Sequence, residues 1–289
     1  MTRIGLAIVW VLRLLPLPLL ALLGRITGLL LYCIARERRE VVQTNLALCF
    51  PQWSEAERAR VARRHFQSFA RSLLEHGILW WSSRARVERL VRITGLEHWQ
   101  AVSGGPVIWF APHFIGLDMG GVRLATEYAA ASVYSRQKDP HFDAILLHGR
   151  SRFVPQELYS RQQGIRPLIR AMRAGRPFYY LPDMDFGERD SVFVPFFGVP
   201  AATITGLARI AQLAGAKVVP SVTTQLQGGA GYELRFYPAW ENFPSGDALA
   251  DARRMNEFIE ERVRENPEQY YWLHKRFKTR LPGEKAYYA

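Results

Sequence analysis

Apolar and polar positions along this chain fall into two regimes. Residues 4–35 are apolar almost without a break, interrupted at Arg13, Pro16, Pro18 and Arg25. No uncharged window there reaches the roughly 18 residues of a clean spanning helix. No small-residue cleavage site stands out, so the pattern predicts a retained membrane anchor at residues 1–35 rather than a removed leader. Two geometries fit it: a kinked or tilted span, or a pair of helices lying in the bilayer surface with their arginines reaching the headgroups. A buried N-terminal hairpin is the remaining alternative. Arg36, Arg38 and Arg39 follow at once. Positive flanks stay in the cytoplasm, so the globular part, residues 36–289, is expected on that side.

Beyond Arg36, short apolar runs alternate with amphipathic stretches. Ser54-Glu-Ala-Glu57 is a capping box that opens a helix to about Trp81. Its apolar stripe, Ala62, Phe66, Phe69, Leu73, Gly77 and Trp80, has helical spacing and is expected in the core. Strands are expected at Leu90–Gly95, Val107–Ala111, Ser132–Tyr134, Phe178–Leu181, Lys217–Thr224 and Tyr232–Tyr237. Helices are expected at Leu117–Tyr128, Asp139–His148, Gly164–Ala174, Thr203–Ala214 and Asp247–Glu265, with Thr203 as a cap. This alternation predicts an α/β fold, a single αβα-type sandwich with a mostly parallel central sheet. Neither a repeat nor a linker divides it.

Composition narrows the partners. The net charge is +12. Five of the 38 basic residues are lysines and the rest are arginines, whose planar fork suits phosphates and carboxylates. A polyanionic partner is implied: an acidic membrane surface, a phosphorylated lipid, an acidic carrier protein or nucleic acid. Nucleic acid is the weaker of these, because no zinc finger, RNA-binding signature or basic zipper is present. Two cysteines, Cys33 and Cys49, exclude a disulfide framework, and no Cys/His cluster suggests a metal.

The chemistry concentrates in Val107-Ile-Trp-Phe-Ala-Pro-His113-Phe-Ile-Gly-Leu-Asp118-Met-Gly-Gly121. A buried strand ends in proline, and a histidine follows where α/β sheets place reactive groups. With His113 in the loop and Asp118 in the first helical turn, the carboxylate can accept the proton of one ring nitrogen. The other nitrogen is then free to act as a base. Gly116 allows the bend. A histidine packed in a βα turn satisfies the same spacing. Arg150 closes a helix, either as a favourable C-terminal charge or as a clamp on phosphate or a developing oxyanion. Asp183, Asp185 and Gly187, after the strand at Phe178, suggest a polar site lip, with Arg189 just beyond; two carboxylates could also hold a metal, which the lack of phosphate-loop glycines makes the weaker reading. Ser191–Pro200, with three phenylalanines, either lines an acyl tunnel or belongs to the core. Tyr270–Arg280 interleaves aromatics with bases, a mixture suited to the headgroup level of a membrane or to a nucleic-acid patch, and the apolar anchor favours the first.

Together these segments resemble the bacterial lipid A late (lauroyl/myristoyl) acyltransferases, within the wider H-x4-D acyltransferases. The resemblance covers nearly the whole chain. It is carried by Asn45-Leu-Ala-Leu-Cys-Phe-Pro51, Glu57-Arg58, His113-x4-Asp118, Asp183-x-Asp185-Phe-Gly, Val192–Thr203 and the tail Pro267–Arg280. It implies an enzyme on the cytoplasmic side of the inner membrane. Such an enzyme moves an acyl chain from acyl carrier protein, the co-substrate, to a hydroxyl of a lipid A precursor, with neither cofactor nor metal. By the same resemblance His113 is the general base, Asp118 orients it, and Arg150 steadies an oxyanion or a phosphate. Asp183, Asp185 and Arg189 then shape the substrate site. Many relatives carry Glu where this chain has Asp118. Other lipid acceptors and a lipid thioesterase or hydrolase are the competing functions.

Overall fold

The computed structural model describes residues 3–288. In chain order the elements are α1 (Arg3–Leu12), α2 (Leu17–Ile34), α3 (Arg36–Cys49), α4 (Glu55–Trp81), α5 (Arg84–Leu90), β1 (Val91–Thr94), α6 (Leu96–Gln100), β2 (Val107–Phe110), α7 (Leu117–Leu124) and β3 (Ala131–Tyr134). There follow α8 (Pro140–Ser151), β4 (Glu157–Ser160), α9 (Arg166–Arg173), β5 (Phe178–Tyr180), β6 (Ser191–Phe196), β7 (Val199–Ile204), α10 (Gly206–Ala214), β8 (Lys217–Gln225), β9 (Tyr232–Phe236) and α11 (Ala248–Glu265).

Seven strands form one sheet in the order β1-β9-β8-β2-β5-β3-β4. Every neighbouring pair is parallel except β8–β9. This is the α/β class expected from the alternation of elements. β2 is central, and its side chains divide between the faces: Ile108 and Phe110 enter one core, Val107 and Trp109 the other. A strand buried on both faces has to be apolar throughout, which is why Val-Ile-Trp-Phe carries no alternation.

The long helix α4 starts at Ser54, whose hydroxyl accepts the Glu57 amide while the Glu57 carboxylate accepts the Ser54 amide. Its stripe is buried at Ala62, Phe66, Gly77 and Trp80, but Leu73 is exposed. α2 lies antiparallel on α4 and buries Leu17, Leu20, Ala21, Gly24 and Gly28. A Cβ at Gly24 would come within 2.6 Å of the Arg71 backbone, and one at Gly28 within 2.4 Å of Gln67. Only glycine permits this approach. The opposite face of α2 exposes Leu19, Leu22, Ile26, Leu29 and Leu30.

Several local expectations are corrected. Thr203 does not cap a helix. It sits buried in β7, its hydroxyl accepts from Asn256 and Arg276, and the following helix begins at Gly206. For residues 191–200, where tunnel lining and core were both open, the structure gives an antiparallel hairpin, β6–β7, over 191–204, whose Phe196 is fully buried in the core against Tyr270 and Phe277. The tail is also core. Tyr270, Trp272 and Phe277 are buried, and Arg276 is 2% exposed because its guanidinium donates to Ala202, Thr203 and Asn256. The buried Asn45 amide holds this tail by donating to the Trp272 and His274 carbonyls. α3, β4 and the hairpin carry no pattern strong enough to have been assigned in advance.

Candidate active site

β2 and β5 are parallel neighbours with Phe110 opposite Tyr180. Each ends in a residue followed by proline: Ala111-Pro112-His113 and Leu181-Pro182-Asp183. Proline stops each ladder for lack of an N–H. Both chains then leave the sheet edge together, and the third residue of each meets the other. The His113 Nδ1 lies 2.6 Å from Asp183 Oδ1, and the His113 backbone amide donates to Asp183 Oδ2 at 2.9 Å. An ionised carboxylate only accepts, so the shared proton belongs to Nδ1, and in the neutral ring Nε2 is the nitrogen that carries the lone pair. The Asp183 side chain is completely buried and that of His113 is 21% exposed. Burial works against the Asp183 charge, yet the imidazole and the amide of His113 hold its pKa below the ordinary aspartate value.

The expectation that Asp118 holds the His113 ring is therefore corrected: Asp183 is the partner. Asp118 does sit in the first turn of α7, but its carboxylate is half-exposed and turned to other groups. Its Oδ1 lies 3.6 Å from Arg150 Nη2 on α8, and its Oδ2 lies 3.8 Å from His76 Nε2 on α4. Gly116 serves a different purpose from the one expected. Its φ is −78°, open to any residue, but a Cβ there would come within 2.6 Å of the Thr223 carbonyl. The glycine lets α7 press against β8.

The loop bearing His113 is strapped by the C-terminal segment. Phe114 bridges to Tyr270, the Ile115 amide donates to the Gln269 carbonyl, and the Tyr271 amide donates to that of His113. Asp185 completes the strap and is not free for substrate. Its carboxylate accepts from the Thr279 amide and hydroxyl, both at 2.7 Å, and from the Gly187 amide. Arg189 is fully out in solvent, 3.9 Å from Asp190, at the rim of the cleft. Sequence reasoning missed His274, whose Nε2 accepts the Asp185 amide at 2.8 Å, and also His76.

His113, Arg150, Asp185, Arg189 and His274 line one cleft of about 890 Å³. A smaller apolar cavity of about 110 Å³ adjoins it, walled by Trp109, Val122, Leu124, Ala130 and Tyr179, with Asp118 and Arg150 among its lining. Val133, Tyr179 and Leu181 belong to both spaces. A base with an available lone pair, a cation close by and an apolar recess suit proton removal from a substrate that carries a hydrocarbon chain.

One buried and one half-buried imidazole, His65 and His274, give the fold a pH dependence. His65 is held at about 4 by burial, with its Nε2 unpartnered among the described residues. His274 is also lowered to about 4, by burial and then by the Arg276 charge. Each would titrate near 6.5 in the unfolded chain. Between these values the unfolded chain takes up protons that the fold refuses. Unfolding free energy is therefore expected to fall as pH drops from about 6.5 to about 4, by up to about 1.4 kcal/mol per pH unit for each histidine. Denaturant titrations across this range check the slope. His65→Gln should halve it, and a flat profile would contradict two rings held neutral by the fold.

The family model for bacterial lipid A biosynthesis acyltransferases matches residues 1–279. A lipid A biosynthesis lauroyltransferase of Escherichia coli strain K12 is 34% identical over 291 residues, covering 100% of this chain and 94% of the relative. A lipid A biosynthesis acyltransferase of Haemophilus influenzae strain Rd is 36% identical over 256 residues, covering 88% of this chain and 80% of the relative. The Escherichia coli lipid A biosynthesis myristoyltransferase is 33% identical over 270 residues, covering 92% and 82% respectively. With the His113 cleft and an end-to-end match, this chain belongs to the bacterial lipid A biosynthesis acyltransferase family.

Proposed function

We propose that this chain transfers a fatty acyl group from acyl carrier protein to a hydroxyl of a lipid A precursor, with His113 as general base. Membership of the acyltransferase family supports the reaction class. The observation that carries the mechanism is the His113–Asp183 pair at the cleft. In this scheme Nε2 removes the proton of the acceptor hydroxyl as its oxygen attacks the thioester carbonyl. Asp183 holds the ring and stabilises the imidazolium that forms. When the tetrahedral intermediate collapses, the carrier thiol leaves and takes the proton from Nε2. No covalent acyl-enzyme, cofactor or metal enters the scheme. The buried Cys49 thiol is pushed well above its ordinary value by burial, which suits packing rather than nucleophilic attack.

Arg150 steadies the developing oxyanion or a substrate phosphate, and Asp118 acts as its positioning residue across 3.6 Å. Arg189, solvated at the rim, meets the anionic acceptor. The small apolar cavity takes acyl methylenes. The net charge of +12 suits both an acidic carrier protein and a phosphorylated lipid.

The protein then works at the cytoplasmic side of the inner membrane, attached through α1 and α2. α2 is long and apolar enough to cross a bilayer. Its antiparallel packing on α4 argues for a helix lying in one leaflet instead. A spanning α2 would carry the exposed Arg60, Arg63 and Arg64 of α4 into hydrocarbon with it. Each would cost roughly 2.5–3.5 kcal/mol at the bilayer centre. The exposed Ile4, Ile8, Val11 and Leu14 of α1 and its turn extend the apolar face.

The test is transfer by the purified full chain, with acyl carrier protein thioesters and a lipid A precursor in mixed micelles, read by mass spectrometry. The expected product is the precursor carrying one further acyl chain. Free fatty acid with an unchanged acceptor would replace this reading with a thioesterase.

A further inference from the structure

A second polar pocket, of about 400 Å³, lies between α2, α4 and the turn joining β8 to β9. It has no lining residue in common with the cleft around His113. Arg25 from α2 and Arg64 from α4 converge on it, together with Gln67, Ser68 and Gln227. Among the described residues neither guanidinium has an ion-pair or hydrogen-bond partner. Arg71 also lines the pocket, but Glu75 balances its charge at 2.7 Å. Among the described residues Glu268 is the one carboxylate lining it, so the unbalanced charge remains positive.

Position identifies the ligand class. Leu22, 50% exposed, lines the pocket and also begins the outward apolar face that continues through Ile26, Leu29 and Leu30. Two guanidiniums, two side-chain amides and a hydroxyl are donors matched to a phosphate. A hydrocarbon surface starts one helical turn away. We propose that this pocket binds the phosphate of a bilayer phospholipid, whose chains run along Leu22, Ile26 and Leu29 of α2. The pocket thus locates the membrane plane at the Arg25 level. Arg25 interrupts an otherwise apolar helix because it is a headgroup ligand. The inference rests on attachment through α1 and α2, and the test separates the two.

The experiment is vesicle sedimentation of the full chain at physiological salt. The bilayers are phosphatidylcholine doped either with phosphatidylglycerol or, at matched charge, with oleic acid. Arg25→Gln/Arg64→Gln is compared with Arg60→Gln/Arg63→Gln, which removes two exposed charges from the same region without touching the pocket. The first double variant should lose about 30-fold in affinity for phosphatidylglycerol vesicles, as expected for two headgroup-level arginines. The second should lose several-fold less. The parent should prefer phosphatidylglycerol over oleic acid, and the pocket variant should lose that preference. Equal losses in the two variants, or no preference in the parent, would overturn the pocket while leaving attachment standing. Failure of the parent to bind any vesicle would overturn both. Release of the parent by inorganic phosphate, but not by chloride of equal ionic strength, would make this a free-anion site and overturn the lipid assignment. Both variants change exposed side chains, so matching thermal unfolding midpoints serve as the folding control.

Discussion

Asp183→Asn is expected to lower acyl transfer by about 10³–10⁴-fold with the fold intact, while Asp118→Asn costs about tenfold. The difference follows from counting acceptors. Asp183 receives two donors from one residue, the His113 amide and Nδ1–H. An asparagine offers one acceptor oxygen and presents an NH₂ to the other donor. The imidazole relieves that clash by moving its proton to Nε2, the nitrogen that has to stay bare. Trapping the wrong tautomer in a histidine–carboxylate pair costs about 10⁴ in turnover elsewhere. Asp118 is half-exposed and meets Arg150 across 3.6 Å, a geometry in which water substitutes for much of the lost charge. Single-turnover transfer from a thioester donor, measured across pH, checks both variants. Near-normal turnover in Asp183→Asn, with collapse in Asp118→Asn, would return the orienting role to Asp118.

Arg71→Met is expected to cost about 3–5 kcal/mol of stability, as removal of one partner from a buried ion pair does. The Arg71 Nε donates to Glu75 at 2.7 Å and its Nη1 to the Leu226 carbonyl at 2.9 Å. The Tyr232 hydroxyl donates to the same Glu75 carboxylate. Glu75 is 1% exposed, and burial already raises its pKa against the pull of Arg71. Without the guanidinium, Glu75 has to take a proton or remain an uncompensated buried charge. Arg71 also sits where α4 meets Gly24 of α2, so this loss should loosen the apolar helix and raise its amide exchange. Urea unfolding gives the magnitude. Arg71→Met/Glu75→Leu should recover a substantial part of it, because burying neither charge avoids the mismatch. A cost below about 1 kcal/mol in the single variant would show that the pair is not shielded from water.

Much of the fold was legible because it is encoded locally. The Ser54 capping box, the apolar run at Val107 and the Asp139 and Asp247 caps each lie within a few residues of the element they specify. Where legibility failed, the deciding partner was distant in sequence. Thr203 has the chemistry of a cap, but Arg276 and Asn256 claim its hydroxyl inside the core. The aromatic and basic tail has the composition of a membrane surface. Its Arg276 is nonetheless buried because carbonyl and side-chain acceptors from β7 and α11 surround it.

The site divides in the same way. The sequence by itself determined that a histidine follows a buried strand, that acids and arginines cluster after the next strands, and that the N-terminus is a greasy stretch broken by arginines. Those are statements about neighbours, and helical and strand periodicity carries them. Only the tertiary structure decided which acid holds the histidine. His113 and Asp183 are 70 residues apart and meet because Phe110 pairs with Tyr180 and both strands leave the sheet after a proline. A five-residue spacing competes poorly with that register, since the Asp118 carboxylate faces Arg150 of α8 and His76 of α4. The paired X-Pro-His and X-Pro-Asp ends were visible in the sequence, but their meaning depended on a strand order that no local pattern states.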